Sequence, residues 1–547
     1  MTGTAAVTRE VRGARLARAA QIAVPLAFLG VFFAWPLAAI LARSLRPGAI
    51  VDVFTDASLR QVVWFTLWQA ALSTALTLVA GLPAAYVVAR YDFPGRRAFL
   101  AFVTIPFVLP TVVVATAFLV LLRSGGPLAF LHWQPGVVPM LIAHVFFNVA
   151  VVVRTVGGFW ANLDPRREEA ARMLGASRVR TFTAVTLPLL APAILAAASI
   201  VFLFTFTSFG VVLLLAGPAH FTIETEIYRQ AFAFLDLRTA AALALVQIVA
   251  VLVIVTALAR LQERRSVAQR IVGGADVARR PRGRERIVVA SILGVTTVFL
   301  AAPLAVLVWR SVRVGGRFTL GSYRALGSSA SASTLFVSPW AAVANSVKFA
   351  LIATAIALVV GGLASVAIAA RPGRSSRTMD AFLMLPLGTS AVTIGFGFLI
   401  AYQHAPGWLA DTWLLVPIAH SIVAIPFVVR TVVPALRRID PRLRDAATML
   451  GAAPRRVWRE IDLPITARAF VVAAGFCAAV SLGEFGATLF IARPDWPTVP
   501  IAIDRFLVKP GQIYLDQALA MSVVLMLLTA VVIFAIERVR VRDLGEI

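Results

Sequence analysis

Between Ile22 and Leu41 the chain carries no charged side chain, and apolar blocks of this length recur to the end of the sequence. About 20 apolar residues in a helix cross a hydrocarbon core of about 30 Å while satisfying every backbone hydrogen bond internally. Blocks of this size are therefore expected to form membrane-spanning helices, and a soluble globular fold is excluded. Composition agrees: 60% of residues are hydrophobic and 14% charged, with a mean hydropathy of +0.87, against roughly 45–50% and 25% in soluble domains.

Twelve spans are predicted, at residues 22–43, 62–89, 99–122, 137–158, 187–215, 240–259, 287–309, 343–370, 380–402, 413–434, 465–492 and 517–536. Arg9, Arg12, Arg15 and Arg18 precede the first block, which is too long for a signal-peptide core and is read as a retained helix. The net charge of +25 is explained by position. Arginine gathers in the N-terminus, Arg90/Arg96/Arg97, the stretch from Arg154 to Arg180, residues 260–286, Arg371/Arg374/Arg377, the stretch from Arg430 to Arg468, and Arg538/Arg540/Arg542. Arginine-rich short loops stay in the cytoplasm, so both termini are expected there. Loop 310–342, with Arg310, Arg313, Arg317 and Arg324, runs against the pattern. No nucleic-acid partner is needed to account for the charge. The single cysteine, Cys477, excludes an intrachain disulfide.

The chain repeats itself at an offset of 276 residues. Glu169-Ala170-Ala171-Arg172-Met173-Leu174-Gly175 aligns with Asp445-Ala446-Ala447-Thr448-Met449-Leu450-Gly451, and Leu187-Pro188 with Leu463-Pro464. Ile142-Ala143-His144, Val153-Arg154-Thr155-Val156, Asp164-Pro165 and Phe209-Gly210 align with Ile418-Ala419-His420, Val429-Arg430-Thr431-Val432, Asp440-Pro441 and Phe485-Gly486. The predicted organisation is a cytoplasmic segment 1–21, a six-span domain 22–259, a cytoplasmic linker 260–286, a second six-span domain 287–536 and a cytoplasmic tail 537–547. Repeats running in the same direction imply a pseudo-twofold axis along the membrane normal.

An acidic residue followed by Ala-Ala, then Gly, then Leu-Pro ending thirteen residues after that Gly, resembles the signature loop of the inner-membrane permeases of binding-protein-dependent ABC importers. It occurs twice, between the fourth and fifth spans of each half. The resemblance implies an all-α polytopic membrane protein built as two tandem six-helix type I ABC-importer permease domains. It also implies that each loop forms a short coupling helix seated on a cytoplasmic ATPase. The coupling residues it points to are Glu169, Ala170, Ala171, Gly175 and Pro188, with Asp445, Ala446, Ala447, Gly451 and Pro464. Asp164-Pro165 and Asp440-Pro441 suit a helix start, and Gly175 and Gly451 a left-handed stop. Arg166, Arg167, Arg172 and Arg178, with Arg442, Arg444, Arg455 and Arg456, are available to pair with acidic groups on that ATPase.

A phosphate-cradling loop needs Gly-Lys-Ser/Thr. The two lysines, Lys348 and Lys509, each follow valine, so the chain holds no such site. The resemblance supplies the motor as a separate ATPase, two copies facing the two loops, and adds an extracytoplasmic substrate-binding protein and a bacterial plasma-membrane setting. No catalytic residue, metal or cofactor is expected.

Within the family, Trp68-Gln69-Ala70, Phe93-Pro94-Gly95-Arg96, Ala143-His144-Val145-Phe146-Phe147-Asn148, Thr222-Ile223-Glu224 and Ser481-Leu482-Gly483-Glu484-Phe485-Gly486 resemble thiamine permeases, with ferric-iron permeases the alternative. An ion-coupled secondary transporter would carry several intramembrane carboxylates. Here Glu484 stands nearly alone within the spans, where the thiamine type is expected to have Asp. Intramembrane charge marks a path or a helix-bridging pair. Glu484 is thus a candidate to line a cation path, with Ser208 its counterpart in the first half; the alternative is a hydrogen bond to backbone loosened by Gly483 and Gly486. His144 and His420 read as a packing pair, Gln69 and Asn148 as helix-bridging amides, and Phe202, Phe204, Phe206 and Phe209 as core or lipid-facing.

Overall fold

The computed structural model describes residues 19–45, 48–122, 126–265, 278–314, 317–327, 335–370, 373–403, 405–407 and 412–541. Arg9, Arg12, Arg15, Arg18, Arg371 and Arg542, linker residues 266–277 and the end of the tail lie outside them. Among the described residues the fold is helical except for two paired two-residue strands, Arg313–Val314 and Arg317–Phe318.

Ten helices among the described residues are long and apolar enough to cross a membrane. Two bent helix pairs pass the same test only when taken together, Arg96–Val108 with Thr111–Leu122 at 97° and Arg374–Gly388 with Ala391–Tyr402 at 96°, which gives twelve if each pair is one span. Sequence hydropathy runs unbroken through both bends, which is why 99–122 and 380–402 read as single rods. Local chemistry makes the corner. Pro110 cannot donate a helical hydrogen bond, and Ser390 starts a new helix by accepting from the Thr393 amide at 3.3 Å. Likewise 187–215 is two pieces, a helix Arg178–Phe206 and a short helix Gly210–Leu215; 465–492 is Pro454–Gly483 followed by Gly486–Ile491.

Three π-helical turns, Gly30–Ala34, Phe182–Thr186 and Trp458–Asp462, each sit directly before a Trp-Pro or Leu-Pro. Proline crowds the carbonyl four residues earlier and offers it no N–H, and a widened turn accommodates that carbonyl without breaking the helix.

By contacts the chain divides into two compact units, Pro47–Leu320 and Met1–Arg46 with Gly321–Ile547. The helix Ala19–Ser44 packs on Ala391–Tyr402, where the Tyr402 hydroxyl donates to the Val31 carbonyl at 3.0 Å. The helix Arg284–Ser311 packs on Thr111–Leu122, and Phe299 meets the edge of Phe146 at 6.1 Å. The sequence repeat and the compact units therefore differ by one exchanged helix each.

Within each unit the fourth span of its repeat is the axis: the most apolar stretches of Val137–Ala161 and Leu415–Arg438 have 78% and 72% of their residues buried, against 22–50% in the other eight long helices. The second span crosses it closely at a glycine. A Cβ on Gly81 would lie 2.7 Å from Val152, and one on Gly361 2.8 Å from Val428.

Candidate functional site

Each repeat places a short exposed helix between its fourth and fifth spans, Arg166–Met173 in one and Pro441–Met449 in the other, and neither buries any of its residues. Both begin on an aspartate. The Asp164 carboxylate accepts from the Arg166 amide and Asp440 from the Arg442 amide, each at 3.0 Å, satisfying a donor that the first turn leaves open. Both end on glycine in the left-handed region, at φ +84° for Gly175 and +81° for Gly451. The Ala176 amide donates back to the Ala171 carbonyl (3.1 Å) and the Gly175 amide to Arg172 (2.9 Å); Ala452 to Ala447 and Gly451 to Thr448 repeat this at 2.9 Å each. This is the Schellman stop, and it gives the second alanine of each Ala-Ala pair a job, since its carbonyl receives the closing bond.

The turn pushes two apolar side chains outward. Met173 and Leu174 are 88% and 89% exposed, and Met449 and Leu450 match them at 88% and 89%. Glu169, Ala170, Asp445 and Ala446 are also exposed, as are Pro188 and Pro464 where the fifth spans begin.

The tethers of these helices were not legible in the sequence. Arg90, the last residue of the second span, donates to the Glu168 carboxylate at 2.6 Å and to the Leu163 carbonyl at 3.5 Å, and the Thr186 hydroxyl donates to the same carboxylate oxygen at 3.0 Å. In the second copy Arg444 reaches Asp462 at 2.7 Å and the Leu436 carbonyl at 3.4 Å. Arg444 was expected to face a partner; it turns inward instead. Arg456 pairs with Glu460 at 2.9 Å, and Arg172 lies 4.0 Å from Glu168, while Arg166, Arg167, Arg178, Arg442 and Arg455 are exposed.

The second constellation lies where each fifth span breaks. His144 is sandwiched between Ser73 on Nδ1 and Ser208 on Nε2, both at 2.9 Å. His420 holds Ser481 on Nδ1 at 2.7 Å and Thr488 on Nε2 at 2.8 Å, with the Glu484 carboxylate 3.3 Å from Nε2. Glu484 is 7% exposed, and its carboxylate accepts from the Ala487 amide (2.9 Å), the Thr488 amide (3.0 Å) and the Thr488 hydroxyl (2.7 Å). It caps the short helix Gly486–Ile491, answering amides freed by the break as any buried polar group requires. Gln69 bridges helices by donating to the Thr205 carbonyl at 2.8 Å, whereas Asn148 bonds its own helix at His144 (2.9 Å). Phe206 is buried against Phe202 and Phe204 is 45% exposed. No group of three or more His, Cys, Asp or Glu able to hold a metal occurs among the described residues.

A further pair of equivalent contacts lies outside the sequence register. The Ile223 amide donates to the Thr66 hydroxyl at 2.9 Å and the Val499 amide to the Ser346 hydroxyl at 2.8 Å. Ile223 and Val499 keep the offset of 276, but Thr66 and Ser346, like Gly81 and Gly361, are 280 apart. The repeat thus extends through the second span in a shifted register.

Comparison with known proteins agrees with this geometry. Residues 77–267 match the family described as binding-protein-dependent transport system inner membrane component. The chain is 27% identical over 489 residues to the thiamine transport system permease protein ThiP of Brucella abortus, covering 87% of each chain. The Escherichia coli protein of the same name is 26% identical over 502 residues, 89% of this chain and 90% of the relative. A Salmonella paratyphi A protein, provisionally named a 2-aminoethylphosphonate transport system permease protein, is 30% identical over 278 residues, which is 98% of its length and 49% of this chain. A relative matched almost end to end by half of this chain is what a doubled permease predicts. The chain belongs to the binding-protein-dependent inner-membrane components, the multi-pass permeases of ABC importers.

Proposed function

We propose that this permease carries thiamine across the bacterial plasma membrane, taking it from an extracytoplasmic binding protein and driven by two copies of a cytoplasmic ATPase, one on each coupling helix. In this reading both termini are cytoplasmic, and the permease domains are 22–259 and 287–536, joined by the linker 260–286. The observation that carries the coupling role is the matched display of Met173–Leu174 and Met449–Leu450. Burying a side chain of this kind is worth about 1.5–3 kcal/mol, so four of them standing bare on two polar loops fit an apolar groove on a partner. Around each, Glu169 and Ala170, or Asp445 and Ala446, leave a slim approach, and Gly175 or Gly451 sets the angle.

Thiamine is favoured over ferric iron because the relatives that match 87% and 89% of this chain, both halves included, carry thiamine names. Glu484 and Ser208 mark the two breaks that a cationic solute would pass. Glu484 meets such a solute with its carboxylate already engaged by two amides and the Thr488 hydroxyl, which suits passage better than tight binding.

Two experiments test this. Affinity-tagged permease, co-expressed with its cognate ATPase, is expected to retain that ATPase through detergent extraction; a permease that transports without it overturns the coupling role. Calorimetry on the cognate binding protein is expected to show thiamine binding, and ferric-iron binding alone would overturn the substrate.

A further inference from the structure

The two copies bridge the same two positions with different chemistry. One position is on the coupling helix, Glu168 or Arg444, and the other closes the π turn at the foot of the fifth span, Thr186 or Asp462; each pair keeps the offset of 276. In the first copy the Thr186 hydroxyl donates to the Glu168 carboxylate at 3.0 Å, and Arg90 locks that carboxylate at 2.6 Å. In the second, the Arg444 guanidinium donates to the Asp462 carboxylate at 2.7 Å. An acid has become a cation and a hydroxyl an acid, yet the link persists. Packing does not supply it, because neither coupling helix buries a residue. The π turn fits the role, since Thr186 and Asp462, both buried, close it and bond to the helix that precedes them in the chain.

We infer that Glu168–Thr186 with Arg90, and Arg444–Asp462, are positioning residues that make each coupling helix and the foot of its fifth span move as one body. A displacement of the exposed Met-Leu tip then reaches the membrane helix through a polar strut as well as through the Gly-containing turn between them. This rests on the coupling reading above. The polarity inversion matters because it makes the two struts separately addressable.

The test uses full-length permease co-expressed with its ATPase and reconstituted in proteoliposomes with its binding protein, with solute uptake and ATP hydrolysis measured on one preparation. The variants are Arg444→Ala, Asp462→Ala, and the exchanged pair Arg444→Asp with Asp462→Arg. Single variants are expected to keep the ATPase and its hydrolysis but lose about two- to thirtyfold in uptake per ATP, the range over which residues along a mechanical linkage modulate coupling. The exchanged pair is expected to recover most of that loss, the interaction signature of a double-mutant cycle. Uptake per ATP unchanged in both single variants overturns the inference. So does an exchanged pair no better than the singles. Should a single variant shed the ATPase, return of binding and uptake together in the exchanged pair supports the strut, and failure of both overturns it. An unaltered permease that never holds the ATPase would instead sink the coupling reading itself.

Discussion

The coupling segments at 164–188 and 440–464 share one backbone and differ in how that backbone is fastened. Start, stop, left-handed glycine, exposed Met-Leu tip and π turn before Leu-Pro are the same in both. The fastening is an acid on the first helix and a cation on the second. Shape is what the two loops hold in common, while the bridge between the same two positions is a hydroxyl on a carboxylate in one and an ion pair in the other. The first fastening has the drier arginine, and its carboxylate is slightly the more exposed of the two. Its arginine and carboxylate side chains are 9% and 18% exposed, against 34% and 13% in the second.

That difference orders the expected effects. The largest falls on Arg90→Ala, which leaves the partly buried Glu168 carboxylate with the Thr186 hydroxyl and, at 4.0 Å, Arg172; losing a charge-assisted hydrogen bond costs about 1.5–3 kcal/mol, to be read as loss of thermal stability of the purified permease. A smaller loss, about 1–2 kcal/mol each, is expected for Gly175→Val and Gly451→Val, the cost of left-handed backbone without glycine. Open space surrounds both Cβ positions, so the two losses should be equal, and a marked inequality would break the claim of one shared shape. Arg444→Ala should cost about 1 kcal/mol, because a pair this open to solvent is screened. A loss as large as that of Arg90→Ala would show that exposure does not set the difference. The smallest effects belong to the helix starts, where Asp164→Ala and Asp440→Ala each remove one cap worth about 1 kcal/mol or less, seen as reduced protection of the Arg166 and Arg442 amides from hydrogen exchange.

The membrane breaks make a second comparison. His144 clasps Ser208 where His420 clasps Glu484 and Thr488. Replacement Glu484→Gln keeps an acceptor for one amide but gives up charge. It is expected to lower maximal uptake with little change in half-saturation, since its carboxylate is committed to the helix start.

Much of this was legible in the sequence, and the exceptions have physical causes. Hydropathy located the spans because a bilayer imposes one length on every crossing. It missed the corners at Pro110 and Ser390, and the breaks after Phe206 and Gly483, because apolar composition continues through a change in backbone direction. The offset of 276 was visible from Ile142 to Gly210, yet Thr66/Ser346 and Gly81/Gly361 stood at 280, since the chain between the bent span and the fourth differs in length between halves. The glycine signal was read correctly in both coupling loops and the Asp-Pro start in the second, while the first helix begins one residue later, at Arg166; local backbone geometry is written in adjacent residues. The partnership of Arg90 with Glu168 joins residues 78 apart, and nothing local announces it. Arg444 misled because a cation on an exposed helix looks the same whether it points out or in.

Cys477 is fully buried and is the chain's single cysteine, so thiol labelling can report on added positions alone. Leu174→Cys and Leu450→Cys should each react with a membrane-impermeant maleimide in inside-out vesicles and not in intact spheroplasts, and bound ATPase should protect both. Labelling of the two positions from opposite faces, or equal labelling with and without the ATPase, would contradict the account.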